Sequence, residues 1–129
     1  MTKKPTILVV DQSVIFRVAV MEMIYSRFPD ARFLETGNAH EALDLVGSKH
    51  PDLILMEIRL NGGNGLKLTE KIHAIAPDTT IVVFTNDDSP EYREAARQRG
   101  VKYFISKAAP NGKKIVEIIE ARFSSNSTH

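Results

Sequence analysis

Asp52-Leu53-Ile54-Leu55-Met56-Glu57-Ile58 is apolar from Leu53 to Met56 and then meets a carboxylate. A strand with one wet face alternates apolar and polar residues, and this one does not. Unbroken apolar runs of strand length belong in a sheet covered on both faces. Thr6-Ile7-Leu8-Val9-Val10 and Thr80-Ile81-Val82-Val83-Phe84-Thr85 have the same character. Ala31–Thr36 and Lys102–Ser106 are more mixed, as edge strands tend to be.

Helical patterns fill the intervals. Val14, Val18, Met21, Tyr25 and Phe28 step by four, three, four and three, which predicts one buried stripe on a helix capped by Ser13. Asn38 is the expected cap of a second helix bearing Ala42, Leu43 and Val46, ended by Gly47 or Pro51. Asn64 caps a third, with Leu68, Ile72 and Ile75 toward the core. Ser89-Pro90 opens a fourth that Gly100 stops, and Pro110 opens a fifth carrying Ile115, Ile118, Ile119 and Phe123. The fourth has Tyr92 as its only large apolar residue, so it is either loosely held or kept available for a partner. Five β-α units in succession predict an α/β fold, a parallel sheet wrapped by helices on both faces.

Composition narrows the function. A chain of 129 residues, 43% hydrophobic and 26% charged, fits one domain, read as 1–124, with a polar stretch 125–129 as a disordered tail or the start of a linker. There is no cysteine, which excludes disulfides, thiolate metal sites and cysteine nucleophiles. His40, His50, His73 and His129 lack the short spacings of metal ligands. A net charge of +1, with both signs well mixed, offers no footprint for nucleic acid or an anionic membrane. The apolar run before Asp11 is too short for a signal peptide, and nothing reaches the length of a membrane span. The expected location is the cytoplasm.

In an open parallel sheet, ligands bind beyond the carboxyl ends of the strands. The first strand exits into Asp11-Gln12-Ser13, the third through Glu57, the fourth through Thr85-Asn86 and the fifth through Ser106-Lys107. Any of these alone would be an ordinary loop residue; together they place carboxylates, a hydroxyl, an amide and an amine around one mouth. Other chemistries lack their motifs. No Gly-x-Gly-x-x-Gly follows the first strand, and no Gly-x-Ser-x-Gly elbow is present. Gly62-Gly63-Asn64-Gly65 lacks the Gly-Lys-Ser/Thr ending of a phosphate loop and reads as a tight turn before a helix. A haloacid-dehalogenase-type phosphatase needs Asp-x-Asp where this chain has Asp11-Gln12-Ser13.

These residues resemble a family. Ile7-Leu8-Val9-Val10-Asp11-Gln12-Ser13 with Arg17, the run from Pro51 to Leu66, Ile81–Thr85, and Gly100–Lys107 are similar to the receiver domain of two-component response regulators. The likeness extends from about Thr6 to Phe123. Arg17, and Ser106-Lys107 followed by Ala108, resemble the branch with helix-turn-helix output domains. The resemblance implies a flavodoxin-like doubly wound (βα)5 fold with strand order 2-1-3-4-5. It implies a protein partner, a sensor histidine kinase or an output domain, met by the fourth helix, fifth strand and fifth helix. It implies no enzyme of its own, and neither nucleic-acid nor membrane binding by this domain.

Receivers accept a phosphoryl group on an aspartate at the end of the third strand and hold Mg²⁺ with acids after the first. Asp11, Thr85, the switch aromatic Phe104 and Lys107 match family positions. Two positions depart: Gln12 replaces a metal-binding acid, and Glu57 stands at the phosphoacceptor position. The extra methylene moves that carboxylate roughly 1.5 Å outward, a displacement that can cost about 100-fold in reactivity. With one carboxylate fewer, Mg²⁺ is expected to bind weakly or not at all, through Asp11 and Glu57 if anywhere. Asp87 and Asp88 are expected to be solvated, and a direct Glu57–Lys107 ion pair is the expected resting state. That pair either imitates the phosphorylated form or holds an inactive one. The resulting expectation is an interaction module independent of phosphorylation; the alternative is a working phosphorelay receiver, the regulatory domain of a DNA-binding transcription factor.

Overall fold

The three apolar runs become the three central strands of one sheet. In the computed structural model, which describes residues 4–87, 89–108 and 112–124, the chain alternates strand and helix. In order come β1 (Thr6–Val10), α1 (Val14–Arg27), β2 (Arg32–Thr36), α2 (Ala39–Lys49), β3 (Leu53–Met56), β4 (Arg59–Leu60) and β5 (Gly63–Asn64). Then follow α3 (Gly65–Ile75), β6 (Thr80–Thr85), α4 (Pro90–Gln98), β7 (Tyr103–Ser106) and α5 (Gly112–Ser124). The five-stranded sheet runs β2-β1-β3-β6-β7, all pairs parallel. Counting only its own strands, that is the expected order 2-1-3-4-5, with the mixed strands β2 and β7 at the edges.

Each central strand divides its side chains between two cores, because successive residues point to opposite faces. Leu8, Val10, Ile54, Met56, Ile81 and Val83 pack with residues of α2, α3 and α4, among them Ala42, Val46, Ile72 and Ala96. Ile7, Val9, Leu53, Leu55, Val82 and Phe84 pack with Val20 and Ile24 of α1 and Ile115, Ile118 and Ile119 of α5. Register makes the layers continuous: Leu8 pairs with Ile54, and Ile54 with Ile81. Burying each such side chain stabilises the fold by about 1.5–3 kcal/mol.

The caps form as expected. Ser13, Asn38, Asn64 and Ser89 each accept from backbone N–H groups of the first helical turn. Gly47 does not end α2, which runs on to Lys49 and closes with His50 at φ 50 before Pro51. The fifth-helix start at Pro110, Asp88 and the stretch 125–129 lie outside the described residues.

Two helical stripes were misphased. On α1 the buried residues are Val20 and Ile24, joined by half-buried Phe16, Met21, Met23 and Phe28. Val14, Val18 and Tyr25 face outward, 58%, 43% and 58% exposed. α1 is apolar on nearly every side, so its periodicity supports several stripes, and contact with the sheet selects one. On α3, Leu66, Leu68, Thr69 and Ile72 are buried while Ile75, in the last turn, is exposed.

The glycine-rich turn folds into the short antiparallel hairpin β4–β5, which the apolar pattern did not foreshadow. Gly62 takes φ 82 at its tip. Gly65 is needed for space: a Cβ there would lie 2.6 Å from the carbonyl oxygen of Glu57 and 2.7 Å from Cα of Ile58. The start of α3 is thereby pressed against the exit of β3, where Glu57 sits. Gly65→Ala should destabilise the domain by about 3 kcal/mol in urea denaturation, because backbone must move to admit the methyl. Gly47→Ala, in open space on helix α2, should instead stabilise it by about 0.5–1 kcal/mol.

Candidate functional site

Parallel strands bring all their carboxyl ends to one edge. There Asp11 follows β1, Glu57 follows β3, Thr85 ends β6 and Lys107 follows β7. A backbone bond from Lys107 N–H to the Thr85 carbonyl (2.8 Å) continues the β6–β7 ladder to the pocket edge.

The centre of the cluster is the Lys107 ammonium. Its Nζ lies 2.5 Å from Asp11 Oδ2 and 2.9 Å from Glu57 Oε1. All three side chains are nearly buried, at 12% exposure for the lysine, 6% for Asp11 and 11% for Glu57. The expected Glu57–Lys107 pair is present, and Asp11 shares the same cation. Asp11 Oδ1 accepts from Ser13 N–H at 2.9 Å, and its backbone carbonyl accepts from Arg17 Nη1. Glu57 Oε2 accepts from the Thr85 hydroxyl and from Ile58 N–H, the latter at 2.7 Å. Each Glu57 oxygen is therefore already bonded.

Phe16 was not singled out by the sequence. Its ring centroid lies 3.9 Å from Lys107 Nζ, and the ring stands edge-on to Phe84 at 5.1 Å. A cation over an aromatic face in a desolvated place gains about 2 kcal/mol. An aromatic five residues after Asp11, one turn into α1, was the available signal.

A cleft of about 390 Å³ opens above the cluster, lined by Asp11, Gln12, Ser13, Glu57, Arg59, Thr85, Asn86 and Asp87. Gln12 is exposed, and its amide donates to the Arg59 carbonyl at 2.9 Å. Asp87 is not the solvated acid expected. Its carboxylate, 26% exposed, pairs with Arg59 at 2.7 Å, closing a bridge between the β4 strand and the segment after β6. Phe104 lies outside this cluster, on the opposite side of β7 from Ile105, with Arg93 stacked 4.8 Å from its ring centroid.

The donor set suits a monovalent ammonium. Among the described residues, no three His, Cys, Asp or Glu side chains group as metal ligands. Both carboxylates of the cluster are turned onto Lys107, the neighbouring Gln12 is neutral, and Asp87 is turned onto Arg59. A hard divalent cation that relies on carboxylates and water is poorly served by that arrangement.

The model of the response regulator receiver domain matches residues 7–120. The chain belongs to the response regulator receiver family. This receiver is 32% identical over 103 residues to the nitrate/nitrite response regulator protein NarL of Escherichia coli K12, covering 79% of this chain and 47% of that protein. That likeness agrees with the helix-turn-helix branch read from Arg17 and the Ser106-Lys107-Ala108 run. It also resembles a CheY-like receiver from Methanospirillum hungatei, at 22% identity and a TM-score of 0.85, covering 97% and 98% of the two chains. A response regulator from Burkholderia pseudomallei, solved with a phosphorylated aspartic acid, calcium ion and citrate, matches at 25% identity and a TM-score of 0.78, covering 97% of this chain and 69% of that one. The receiver thus spans about half the length of NarL. No helix among its described residues is long and apolar enough to cross a membrane.

Removing the shared cation leaves two nearly buried carboxylates facing each other. Lys107→Met should destabilise the domain by about 3 kcal/mol, read from urea unfolding. Adding Glu57→Gln to that variant should restore part of the loss, a non-additive coupling that a double-mutant cycle measures. Additive losses would show that the two side chains do not interact.

Proposed function

We propose that this receiver is a protein-interaction module whose conformation is held by its own side chains and not set by phosphorylation. One observation carries the reading: both oxygens of Glu57, at the family's acceptor position, are engaged by Lys107, Thr85 and the Ile58 N–H. A carboxylate that must attack phosphorus needs a free oxygen, correctly placed and beside a cation. Here the longer side chain reaches into the place where, by resemblance, Thr85 and Lys107 would hold phosphoryl oxygens. Glu57 thus offers those two residues an anion permanently, with less charge and fewer acceptor oxygens than a phosphoryl group. The contacts favour imitation of the phosphorylated state over a locked inactive one.

Magnesium binding is weak or absent on this reading. Lys107 supplies the positive charge, Gln12 brings no carboxylate, and Asp87 is committed to Arg59. The module is neither an enzyme nor a nucleic-acid binder in its own right. It works in the cytoplasm, and its partner, a sensor kinase or an output domain, meets α4, β7 and α5. Residues 1–124 form the functional unit.

A second reading draws on relative length. Because the chain spans 47% of the response regulator NarL, it also fits a working phosphorelay receiver that serves as the regulatory part of a longer response regulator. The two readings differ in whether the pocket accepts phosphate. After incubation with acetyl phosphate and Mg²⁺, intact-protein mass should show no acyl phosphate on the wild type and a clear adduct on the Glu57→Asp/Gln12→Asp double variant. An acid-stable, hydroxylamine-labile adduct on the wild type would establish a working phosphorelay receiver instead.

A further inference from the structure

The hairpin β4–β5 and its exit into α3 hold two Asn-Gly pairs, Asn61-Gly62 and Asn64-Gly65. An asparagine before glycine carries a latent reaction, because its side-chain amide carbon lies within reach of the next backbone nitrogen. Glycine has no side chain to obstruct that approach and lets the backbone turn toward it. The reaction needs a side-chain amide free to rotate, a glycine N–H free to lose its proton, and water at the new bond. The surroundings of the two pairs differ on these points.

Asn61 is exposed at the hairpin tip, and Gly62 beside it is exposed as well, at φ 82. Among the described residues, neither the Asn61 side chain nor the Gly62 N–H makes a hydrogen bond. What anchors Asn61 is its main chain, whose carbonyl accepts from Ala39 N–H at 2.9 Å. Asn64 meets the opposite conditions. Its Oδ1 accepts from Leu66 N–H at 2.7 Å as the cap of α3. Gly65 is buried, and its N–H donates to the Ile58 carbonyl at 2.7 Å. A Cβ on Gly65 would stand 2.6 Å from the Glu57 carbonyl oxygen, so the backbone around that nitrogen has no room to shift.

We propose that Asn61 is a site of spontaneous, backbone-assisted deamidation, and that the fold directs this reaction to Asn61 and away from Asn64. The Gly62 nitrogen loses its proton to hydroxide and forms a bond to Cγ of Asn61. The bond from Cγ to the amide nitrogen breaks, and that nitrogen leaves as ammonia with a proton from water, which restores the hydroxide. Water then opens the cyclic imide at either of its carbonyl carbons, leaving aspartate or isoaspartate at position 61. The sum is amide plus water to carboxyl plus ammonia, with nothing oxidised or reduced. Either product carries a carboxylate that cancels the formal net charge of +1. The charge arises where the hairpin bridges to Asn38, beside the first turn of α2, and a helix start favours an anion. Isoaspartate also adds a methylene to the main chain of the hairpin between Glu57 and α3. The change is one-way and does not depend on how the pocket treats phosphate.

Ageing the purified protein in mildly alkaline buffer, folded and in urea, with tryptic mapping over time, tests the proposal. Cleavage after Arg59 and Lys67 releases both asparagines in one peptide, whose fragment ions distinguish them. Asn111, also followed by glycine, falls in a separate peptide and does not affect the comparison. In the folded protein Asn61 should convert at least about ten-fold faster than Asn64, which reacts only when its cap opens. In urea the two should convert at similar rates, because the dipeptides are identical. Isoaspartate should form part of the product, and ageing in oxygen-18 water should label it. The Ala39 amide signal should move with the same time course, since its acceptor belongs to the modified residue. An unreactive Asn61, or equal rates for both asparagines in the folded protein, would overturn the proposal. So would aspartate as the sole product, which marks direct hydrolysis, or an Ala39 signal that stays in place. A rate difference that persists unchanged in urea would assign the preference to local sequence and remove the role of the fold.

Discussion

A strand covered on both faces has no place for charge along its length, because an unpaired charge taken out of water costs several kcal/mol. Polar chemistry is therefore displaced to strand ends, and parallel strands place those ends at common edges. In this domain Asp52 sits at the entry to β3, accepting from Thr6 N–H at 2.9 Å. Asp11, Glu57, Thr85 and Lys107 sit at the exits. Asp11 and Glu57 are neighbours because β1 and β3 are paired. Lys107 comes from an edge strand two positions away from β3, and its long stem carries the ammonium inward.

Once two carboxylates are brought together and nearly buried, a cation must accompany them. Lys107 meets that demand from within the chain, with Phe16 closing one side of the ammonium. The position of Glu57 is also set by close packing behind it, since Gly65 leaves no room between α3 and the end of β3. The longer carboxylate, its lysine and the Thr85 hydroxyl make a closed network with no buried side-chain polar atom left unpartnered among the described residues. A network satisfied in this way resists rearrangement.

Helix α4 shows what a shortage of large apolar residues does to packing. Its capping pair Ser89-Pro90 starts the helix, but Ala96 alone is fully buried along it. Arg93 instead lies along β7, donating to the Phe104 carbonyl and stacking on its ring, and Arg97 pairs with Glu94 on the same helix. The segment leading into α4 begins at Thr85 and is tied to β4 by Asp87 and Arg59.

Much of this was legible in the order of residues. Uninterrupted runs such as Leu53–Met56 require double burial, caps such as Asn38 and Asn64 are local, and the alternation of strand and helix leads to a parallel sheet with Asp11, Glu57, Thr85 and Lys107 at one edge. Other features depended on contacts between distant segments. The apolar helix α1 supports several stripes, and only the sheet chose Val20 and Ile24 over Val14 and Val18. The hairpin β4–β5 answers to Gly62 and to the crowding at Gly65, neither visible as periodicity. The sharing of Lys107 by Asp11 as well as Glu57, the Phe16 ring beside it, and the pairing of Asp87 with Arg59 join residues up to 96 apart in the chain. Residue type determined which groups would need partners; the packing of helices on the sheet decided which partners they found.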